Sequence, residues 1–429
     1  MKSFLLLLSL LAQPGSASEA GDDAAPSSMA LHGLVSLEAS ALLLLPPTGQ
    51  EGAEGFLRLA PSLILEGGDI FGLHLVAPVL LRAGVYAPSH PRRGTVRAED
   101  WDSPSDFGQL VHALTLGADN LPFQFQAGAL EDYSLRSGHL VRRYSNRLHP
   151  DYHPAGAFLV ASTGPLQAEL FTSDVLAARL VGAEVGVSAL AGRAGLSLSV
   201  AHDFGASEAR SPPVTLVHTD ASVALLMRKG LEVHVLGGAG VRPQAPGLAW
   251  GALAGLAVET LSDTLELGGR LEARVRRGGF QQGFFGPDYE LSRLQAPGAV
   301  APVAQTPFPE GYSFFGELVV GWDGLHLDHA QRRLQLSVAA EVSGSGRVDA
   351  DARVTGWLAR RRVGVALAAL AVGVGQPGAR GALSGEVRWY LGRRLYALAQ
   401  GGTRFFPTGG AIWRTGAFLA MGLGAEYAR

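Results

Sequence analysis

Cysteine is absent from the 429 residues, and lysine occurs only at Lys2 and Lys229. The absence of cysteine excludes disulfides, thiolate metal sites and cysteine nucleophiles. Long apolar runs are also missing, because no segment after residue 20 reaches about 18 uninterrupted apolar residues. The formal net charge of −3 argues against nucleic acid as a partner. A chain of this composition must be held together by backbone pairing and packing alone.

The first twenty residues, MKSFLLLLSLLAQPGSASEA, have the layout of a secretory signal. Lys2 supplies a positive charge, residues 4–11 form the apolar stretch, and residues 15–17 (Gly-Ser-Ala) match a small-residue cleavage site. The apolar stretch is too short to span a bilayer. We therefore expect residues 1–20 to be a cleaved signal peptide and residues 21–30 to be a short N-terminal segment.

An odd–even alternation of apolar and polar side chains is the strongest pattern in the chain. Residues 263–278 read DTLELGGRLEARVRRG, which places the leucines on one face and the glutamates and arginines on the other. A helix would spread leucine and arginine around its axis, whereas a strand has one apolar and one charged face. The runs 347–355 (RVDADARVT) and 334–343 (LQLSVAAEVS) repeat the pattern. The sequence therefore predicts a wall of strands that is apolar on one side and ionic on the other.

About twenty such runs follow one another, and most are long enough to cross a hydrocarbon core when tilted. Every second connection is short and rich in turn residues, as at 163–165 and 228–230, whereas 131–154 and 277–311 are long. This arrangement predicts an all-β fold, a transmembrane antiparallel up-and-down β-barrel of about 18–20 strands over residues 31–429. A soluble β-sandwich is the alternative. It would divide about 400 residues into domains joined by linkers, and the sequence shows no linker.

Aromatic residues fall near both predicted rims of the barrel. Trp389, Tyr396 and Tyr427 lie near strand ends on the short-turn side, and Phe314 lies on the long-loop side. Two aromatic belts are typical of the two interfaces of a membrane. The pattern therefore favours a barrel that sits in lipid.

In this architecture the chain resembles the Gram-negative outer-membrane β-barrels, from its N-terminal signal through the alternating strands to the final GLGAEYAR. The likeness is porin-like without matching a particular porin family. One departure is the last residue, Arg429, because these proteins usually end on Phe or Trp. The resemblance implies an integral outer-membrane protein with short periplasmic turns, long extracellular loops and a periplasmic segment at 21–30. It also implies outer-membrane lipid, lipopolysaccharide and the barrel-assembly machinery as partners, and it indicates no oligomeric state.

The charged face of the predicted strands would line the lumen. Charges face a lumen only if it holds water or partner charges, because an unpaired buried ion costs several kcal/mol. We interpret this face either as ladders of opposite charges that stiffen the wall or as a constriction whose arginines select anionic or polar solutes. The predicted pore-lining residues are Glu266, Arg270, Glu272, Arg274, Arg276, Asp349, Asp351, Arg353, Glu386, Arg388 and Arg414.

The loop 131–154 is the densest polar segment between strands. Arginine binds carboxylates and phosphates through two hydrogen bonds, and tyrosine faces stack on sugars or aromatic surfaces. We expect this loop to be the eyelet of a channel if it folds inward, or to bind lipopolysaccharide phosphates if it lies on the surface. The predicted selector residues are Arg136, His139, Arg142, Arg143, Tyr144, Arg147, His149, Tyr152 and His153.

The loop 277–311 is long and aromatic. Its aromatic side chains form an apolar gate or a ligand-contact patch, or they pack the loop onto itself. The members of this aromatic set are Phe280, Phe284, Phe285 and Tyr289.

The sequence carries no recognisable reaction centre. His149 and His153 are four residues apart, but Pro150 and Pro154 argue against the helix that would align them, so we expect no metal. There is no G-x-S-x-G and no dinucleotide-type glycine pattern, so we expect neither a cofactor nor catalysis. The expected function is passage of small polar or anionic solutes. The alternatives are a closed-lumen barrel with a structural, adhesion or ligand-binding role in its outer loops and, more weakly, an outer-membrane hydrolase.

Overall fold

The computed structural model describes residues 31–47, 52–68, 70–85, 95–118, 121–148, 152–205, 213–245, 247–262, 264–293, 310–322, 334–359, 362–377, 379–407 and 413–428. The expected signal peptide (1–20) and the segment 21–30 lie outside these residues, and both stay predictions. Among the described residues, no helix is long and apolar enough to cross a membrane.

Strands make up most of the described chain. Their bounds are β1 Leu31–Leu45, β2 Glu54–Gly67, β3 Phe71–Val76, β4 Val79–Val85, β5 Val111–Leu116, β6 Phe123–Gly128, β7 Gly156–Thr163, β8 Leu166–Thr172, β9 Leu180–Ala189, β10 Ala194–Asp203 and β11 Val214–Arg228. They continue as β12 Leu231–Arg242, β13 Ala249–Leu261, β14 Leu265–Arg277, β15 Gly311–Trp322, β16 Leu334–Ser343, β17 Val348–Leu358, β18 Val363–Val374, β19 Arg380–Tyr390, β20 Leu395–Pro407 and β21 Trp413–Ala428. The described helical turns are two 3-10 turns, Ala98–Asp100 and Pro104–Leu110, and α1, Tyr289–Arg293.

The strands close into a ring. Each pairs antiparallel with its neighbours, and the last pairs with the first, from Leu34 opposite Ala428 to Leu45 opposite Ala417. Strands β3 and β4 both pair with β2 and form one strand that is interrupted at residues 77–78. The wall is therefore a closed barrel of 20 strands, within the predicted range. Closure leaves no exposed strand edge, which accounts for how a chain without disulfides holds a sheet of this size.

The two rims differ as predicted. Strand β1 begins and β21 ends on one rim, where the described connections are tight, as at Gly164 (φ 55°) and Gly230 (φ 76°). Glycine adopts such positive φ angles without the steric cost of a side chain. The opposite rim carries the long connections 129–155 and 278–310. Residues 323–333, which join β15 to β16, lie outside the described part of the chain.

In strand β14 the alternating side chains separate into an apolar outer face and a charged inner face. Leu265 and Leu271 are 41% and 68% exposed on the outer surface, whereas Glu272, Arg274 and Arg276 are at most 4% exposed on the inner one. Exposed leucine, valine and methionine side chains recur around the whole outer surface. An apolar surface of this extent faces lipid rather than water. The barrel is thus a transmembrane one.

Three of the four predicted rim aromatic residues lie on the outer surface, as expected. Trp389, Tyr427 and Phe314 are exposed on the outer surface near the predicted rims. The belt prediction for Tyr396 is wrong, because this residue faces the lumen, is buried, and donates a hydrogen bond to Glu38 (2.6 Å). Its even position in β20 puts it on the inner side of the pleat.

Candidate functional site: the lumen and its plug

The arginine stripe of β14 is paired with carboxylates. Arg274 contacts Glu272 two residues away (2.6 Å) and Glu341 on β16 (2.8 Å). Arg276 contacts the other oxygen of Glu341 (3.1 Å), and Arg270 contacts Glu317 on β15 (3.0 Å). These pairs match the ladders of opposite charge that the sequence allowed.

The other predicted pore-lining residues are also largely paired. Asp349 contacts Arg347 (2.9 Å) and Glu386 contacts Arg388 (2.6 Å), each within its own strand region. Arg353 approaches Asp132 of the loop 131–154 (3.9 Å). Glu266 is half-buried on the inner side of β14, and Arg414 is exposed near the outer end of β21. Asp351 is bound by the same loop, as described below.

Residues 131–145, called the first plug segment, fold into the lumen. At its neck the Asn146 amide donates to the Leu130 carbonyl (3.0 Å), and the Leu130 amide donates to the Asn146 side chain (2.9 Å). Tyr133 donates to Glu169 on β8 (2.7 Å), and Arg143 reaches Asp351 on β17. In the ring of 20 strands β17 lies opposite β7, so the segment crosses the full width of the lumen. Of the two placements left open by the sequence, the structure has the inward one.

Arg142 and Arg143 anchor the half of this segment that runs back to the neck, where Tyr144 pairs with Tyr133. Arg143 binds Asp351 and contacts Glu317 (3.1 Å), and Arg142 contacts Glu317 (3.3 Å) and Asp351 (3.6 Å). Arg142 also lies over the ring of Phe315 (4.4 Å to its centroid), a favourable cation–π geometry. Burial alone would lower the pKa of the Arg143 guanidinium, but the nearby carboxylates, Asp351 foremost, raise it. Arg143 therefore stays charged, and both arginines are paired with carboxylates.

His139 fastens the middle of the segment. Its Nε2 lies 3.0 Å from Glu272 on β14, and its Nδ1 lies 2.6 Å from Asp220 on β11. Burial opposes protonation of this ring, but the contacts with the two carboxylates outweigh it and raise the pKa of His139. The histidine thus joins two strands of the wall through the plug.

Residues 278–293, called the second plug segment, pack against the first. The Arg142 amide donates to the Phe285 carbonyl (3.1 Å), and the Phe285 amide donates to the Leu140 carbonyl (3.1 Å). Phe280, Phe285, Leu140 and Val141 are fully buried in one apolar cluster. The aromatic side chains of this loop therefore pack onto the first plug segment and the wall. They also pack on one another, as in Phe284–Phe285 (ring centroids 5.0 Å apart) and Phe285–Tyr289 (4.9 Å), which is the self-packing alternative of the sequence analysis. The contact with the first plug segment could not be predicted, because the sequence does not show that both loops enter one lumen.

A buried polar cluster holds the end of the second segment. Asp203 at the end of β10 accepts hydrogen bonds from Tyr289 (2.6 Å) and from Arg293 (2.7 Å). Glu290 accepts one from Tyr144 of the first segment. Burial raises the pKa of the Glu290 carboxyl, while Arg293 and the Tyr144 hydrogen bond act in the opposite direction.

Of the remaining predicted selector residues, Arg147, Tyr152 and His153 lie outside the first plug segment. Arg147 donates to the carbonyls of Gly108 (2.9 Å) and Pro154 (3.0 Å), and burial lowers its pKa to about 10, so it remains charged. Tyr152 donates to Asp174 (2.8 Å), and the His153 amide donates to Asp106 (3.1 Å). These residues bind the outer loops to one another. The Arg136 side chain is exposed, and His149 lies outside the described residues.

A cavity of roughly 450 Å³ lies within the lumen on the side of β1, β2 and β17–β21, and both charged and apolar side chains line it. One of its lining residues is Glu38, which contacts Arg58 (3.4 Å) and Arg388 (3.5 Å). The charged side chains that line it are Glu38, Arg58, Glu131, Arg353, Glu386, Arg388 and Glu426. Charges of both signs therefore face this space.

Several residues that contact the plug or the arginine stripe were not predicted, although the alternation of apolar and polar residues contains a signal for some of them. Glu317, Glu341 and Asp220 occupy inward positions of predicted strands, and counting odd and even positions along those strands would have found them. Asp203 and Arg293 carry no such signal, because their pairing depends on where a loop lies in three dimensions.

A closed wall with an apolar outer surface and a charged, partly filled interior defines the class: this is a transmembrane β-barrel with a plugged lumen. No protein-family model and no curated protein sequence matches the chain.

Three solved structures with a low similarity to this chain serve as examples. A BenF-like porin from Pseudomonas fluorescens Pf-5 is 11% identical, with 93% of this chain and 98% of that chain covered and a TM-score of 0.36. OccAB3 of Acinetobacter baumannii is 9% identical, with 93% and 99% covered and a TM-score of 0.36. Wzi of Escherichia coli, described as a carbohydrate-binding β-barrel, is 12% identical, with 92% and 84% covered and a TM-score of 0.36. Values this low place the chain in none of these families.

Proposed function

We propose that the protein is an outer-membrane channel for small polar solutes, with the first plug segment as its constriction. The observation that carries this proposal is the crossing of the lumen from Tyr133 near β8 to Arg143 at β17. A segment across a lumen divides it and sets the size of what passes beside it. Export by residues 1–20, insertion by the barrel-assembly machinery and contact with lipopolysaccharide at the outer rim belong to the same proposal.

The cavity supports polar rather than apolar solutes. Its charged groups need water or a polar solute, because burying them without partners would cost several kcal/mol each. Arg58 and Arg388 lie close to Glu38, so no surface of one sign is available for strict selection of anions. The proposed solutes are therefore small, neutral or zwitterionic polar molecules, and the preference for anions is expected to be weak.

Planar-bilayer recording of the purified protein tests the channel directly. We expect discrete but small single-channel currents, because the plug fills part of the lumen, and a reversal potential near zero in a salt gradient. A barrel of this size without a plug would conduct strongly. A bilayer that stays sealed while the protein is shown to be inserted would contradict the proposal.

Neutralising Arg142 and Arg143, the two plug arginines that contact Glu317 and Asp351, is expected to shift the ion selectivity of the channel toward cations. In the double variant Arg142→Gln/Arg143→Gln, Glu317 and Asp351 lose the cations that contact them. The reversal potential in a salt gradient measures the shift. Arg228→Gln on the exposed short-turn rim is the matched control and should leave the reversal potential unchanged. An unchanged potential in the double variant would reject the segment as the constriction.

A closed-lumen binding barrel is the second candidate. It is favoured by the apolar cluster around Leu135, Leu140 and Phe285, in which these side chains are fully buried, as in a protein core. A sealed bilayer together with binding of a ligand by the outer loops would support it. Measurable current would exclude it.

A further inference from the structure

Two histidines and one aspartate from separate parts of the fold meet beside the plug. His139 comes from the first plug segment, and His218 and Asp220 come from β11. One potential ligand atom from each residue lies within 4.8 Å of the others. We propose that these three residues bind a divalent metal ion of the Zn²⁺ type and thereby attach the plug to the wall.

The hydrogen bonding of the cluster leaves ligand atoms free. His139 Nδ1 and Asp220 Oδ1 lie 2.6 Å apart, yet neither makes a hydrogen bond of acceptable angle. His218 is fully buried, its Nδ1 lies 3.0 Å from Asp220 Oδ2, and its Nε2 has no hydrogen-bond partner in the described residues. Buried polar atoms normally have a hydrogen-bond partner, so several buried atoms without one, grouped in one place, indicate a ligand-binding site.

The neighbouring β12 strand makes room for this cluster. Gly238 and Gly240 pair with Asp220 and His218, and a side chain at either glycine would collide with them. A Cβ atom built on Gly238 would lie 2.6 Å from the His218 ring, and one on Gly240 would lie 2.6 Å from the same ring. The two glycines thus leave the space that the imidazole of His218 occupies beside Asp220.

The donor set suits zinc. Two imidazole nitrogens and one carboxylate oxygen are zinc ligands, and three protein ligands leave a position for water or a solute. The other ring nitrogen of His139 lies 3.0 Å from Glu272, an arrangement that orients a metal-binding histidine in many zinc sites. Arg270 and Arg274 contact the same Glu272, so the charges that face His139 include two cations as well as two carboxylates. A bound metal would take the place of any proton on His139 Nδ1, and that proton would be released to solvent.

The prediction that the loop 131–154 binds no metal depends on the pair His149 and His153 alone. The proposed site uses His139 instead, with partners 79 and 81 residues further along the chain (218 − 139 and 220 − 139). Only the inward fold of the first plug segment brings them together.

Isothermal titration of tag-free protein in detergent, stripped with EDTA, tests the site with Zn²⁺ alone. We expect one bound equivalent, and His139→Ala and His218→Ala should each weaken binding roughly a hundredfold or more. His234→Ala is the matched control, because His234 lies on β12 beside one carboxylate, Glu232 (3.2 Å), without a second histidine contact. Binding that is absent in the wild type, or unchanged in both ligand variants, would overturn the site.

A measurement on the unaltered protein guards against variants that fail to fold. Co²⁺ bound by two imidazoles and a carboxylate should give a ligand-field absorption band that Zn²⁺ displaces in equal amount. No such band would overturn the proposal.

The expected effect of zinc on the current rests on the proposed channel function, whereas the binding of zinc to the three residues does not. If zinc binds and the bilayer stays sealed, the site stands and the channel fails. If current flows and neither zinc nor cobalt binds, the channel stands and the site fails. When both hold, added Zn²⁺ should lower the current of the wild type and leave that of His218→Ala unchanged.

Discussion

Replacing residues 131–145 by two glycines is expected to raise the single-channel conductance several-fold. This segment crosses the lumen, and its removal takes away the anchors His139 and Arg143 together with the side chains between them. The wall should survive the change, because the Asn146 amide already donates to the Leu130 carbonyl (3.0 Å). That hydrogen bond is the one that closes a two-residue turn.

The conductance is measured in planar bilayers beside two checks. Retention of the heat-modifiable gel shift and of β-sheet circular dichroism would show that the barrel is intact. Arg193→Ala, on an exposed turn of the opposite rim, is the control and should conduct as the wild type does. An intact deletion variant with unaltered conductance would mean that ions do not pass where the segment lies, and the proposed function would be wrong.

Asp203→Ala is expected to release the second plug segment. Asp203 accepts hydrogen bonds from Tyr289 (2.6 Å) and Arg293 (2.7 Å), and Arg293 is almost completely buried. Without Asp203 the nearest carboxylate to this guanidinium is Glu290 at 3.8 Å. Breaking a buried ion pair in this way costs about 3–5 kcal/mol. Local opening of the segment should therefore become more than roughly a hundredfold more frequent.

Hydrogen exchange of residues 280–293 measures this opening. Asp203→Asn is the matched variant, because it keeps a hydrogen-bond acceptor and removes only the charge, so its effect should be smaller. Exchange in the wall strands β12 to β15 should stay slow in both variants. If residues 280–293 keep their protection in Asp203→Ala, the polar cluster does not hold the segment. Equal loss of protection in the wall would mean that the variant destabilises the barrel as a whole.

The wall could be predicted from the sequence because its signal is local. In a strand, neighbouring side chains point to opposite faces. Leu271 and Arg274 occupy odd and even positions, so the apolar residue faces lipid and the charged residue faces the lumen. The turns carry local signals as well, since Gly164 and Gly230 supply the positive φ angles that tight connections need. Tyr396 is aromatic but is not a belt residue, because its even position in β20 places its side chain in the lumen.

The plug could not be predicted in the same way. Arg143 and Asp351 are 208 residues apart, and no spacing in the chain relates them. Their contact exists only after the strands have closed into a ring that puts β7 and β17 on opposite sides. The same holds for His139 and Glu272, 133 residues apart, and for the packing of Phe285 on Leu140.

The sequence by itself determined the barrel, its orientation of apolar and charged faces, and the two long loops rich in arginine and aromatic residues. Each of these properties follows from side-chain order within a few neighbouring residues. Only the tertiary structure decided that both loops fold inward, that the arginines of the lumen are paired, and that His139 meets His218 and Asp220. These contacts join residues that are distant in the chain, and their geometry is set by the closure of the wall.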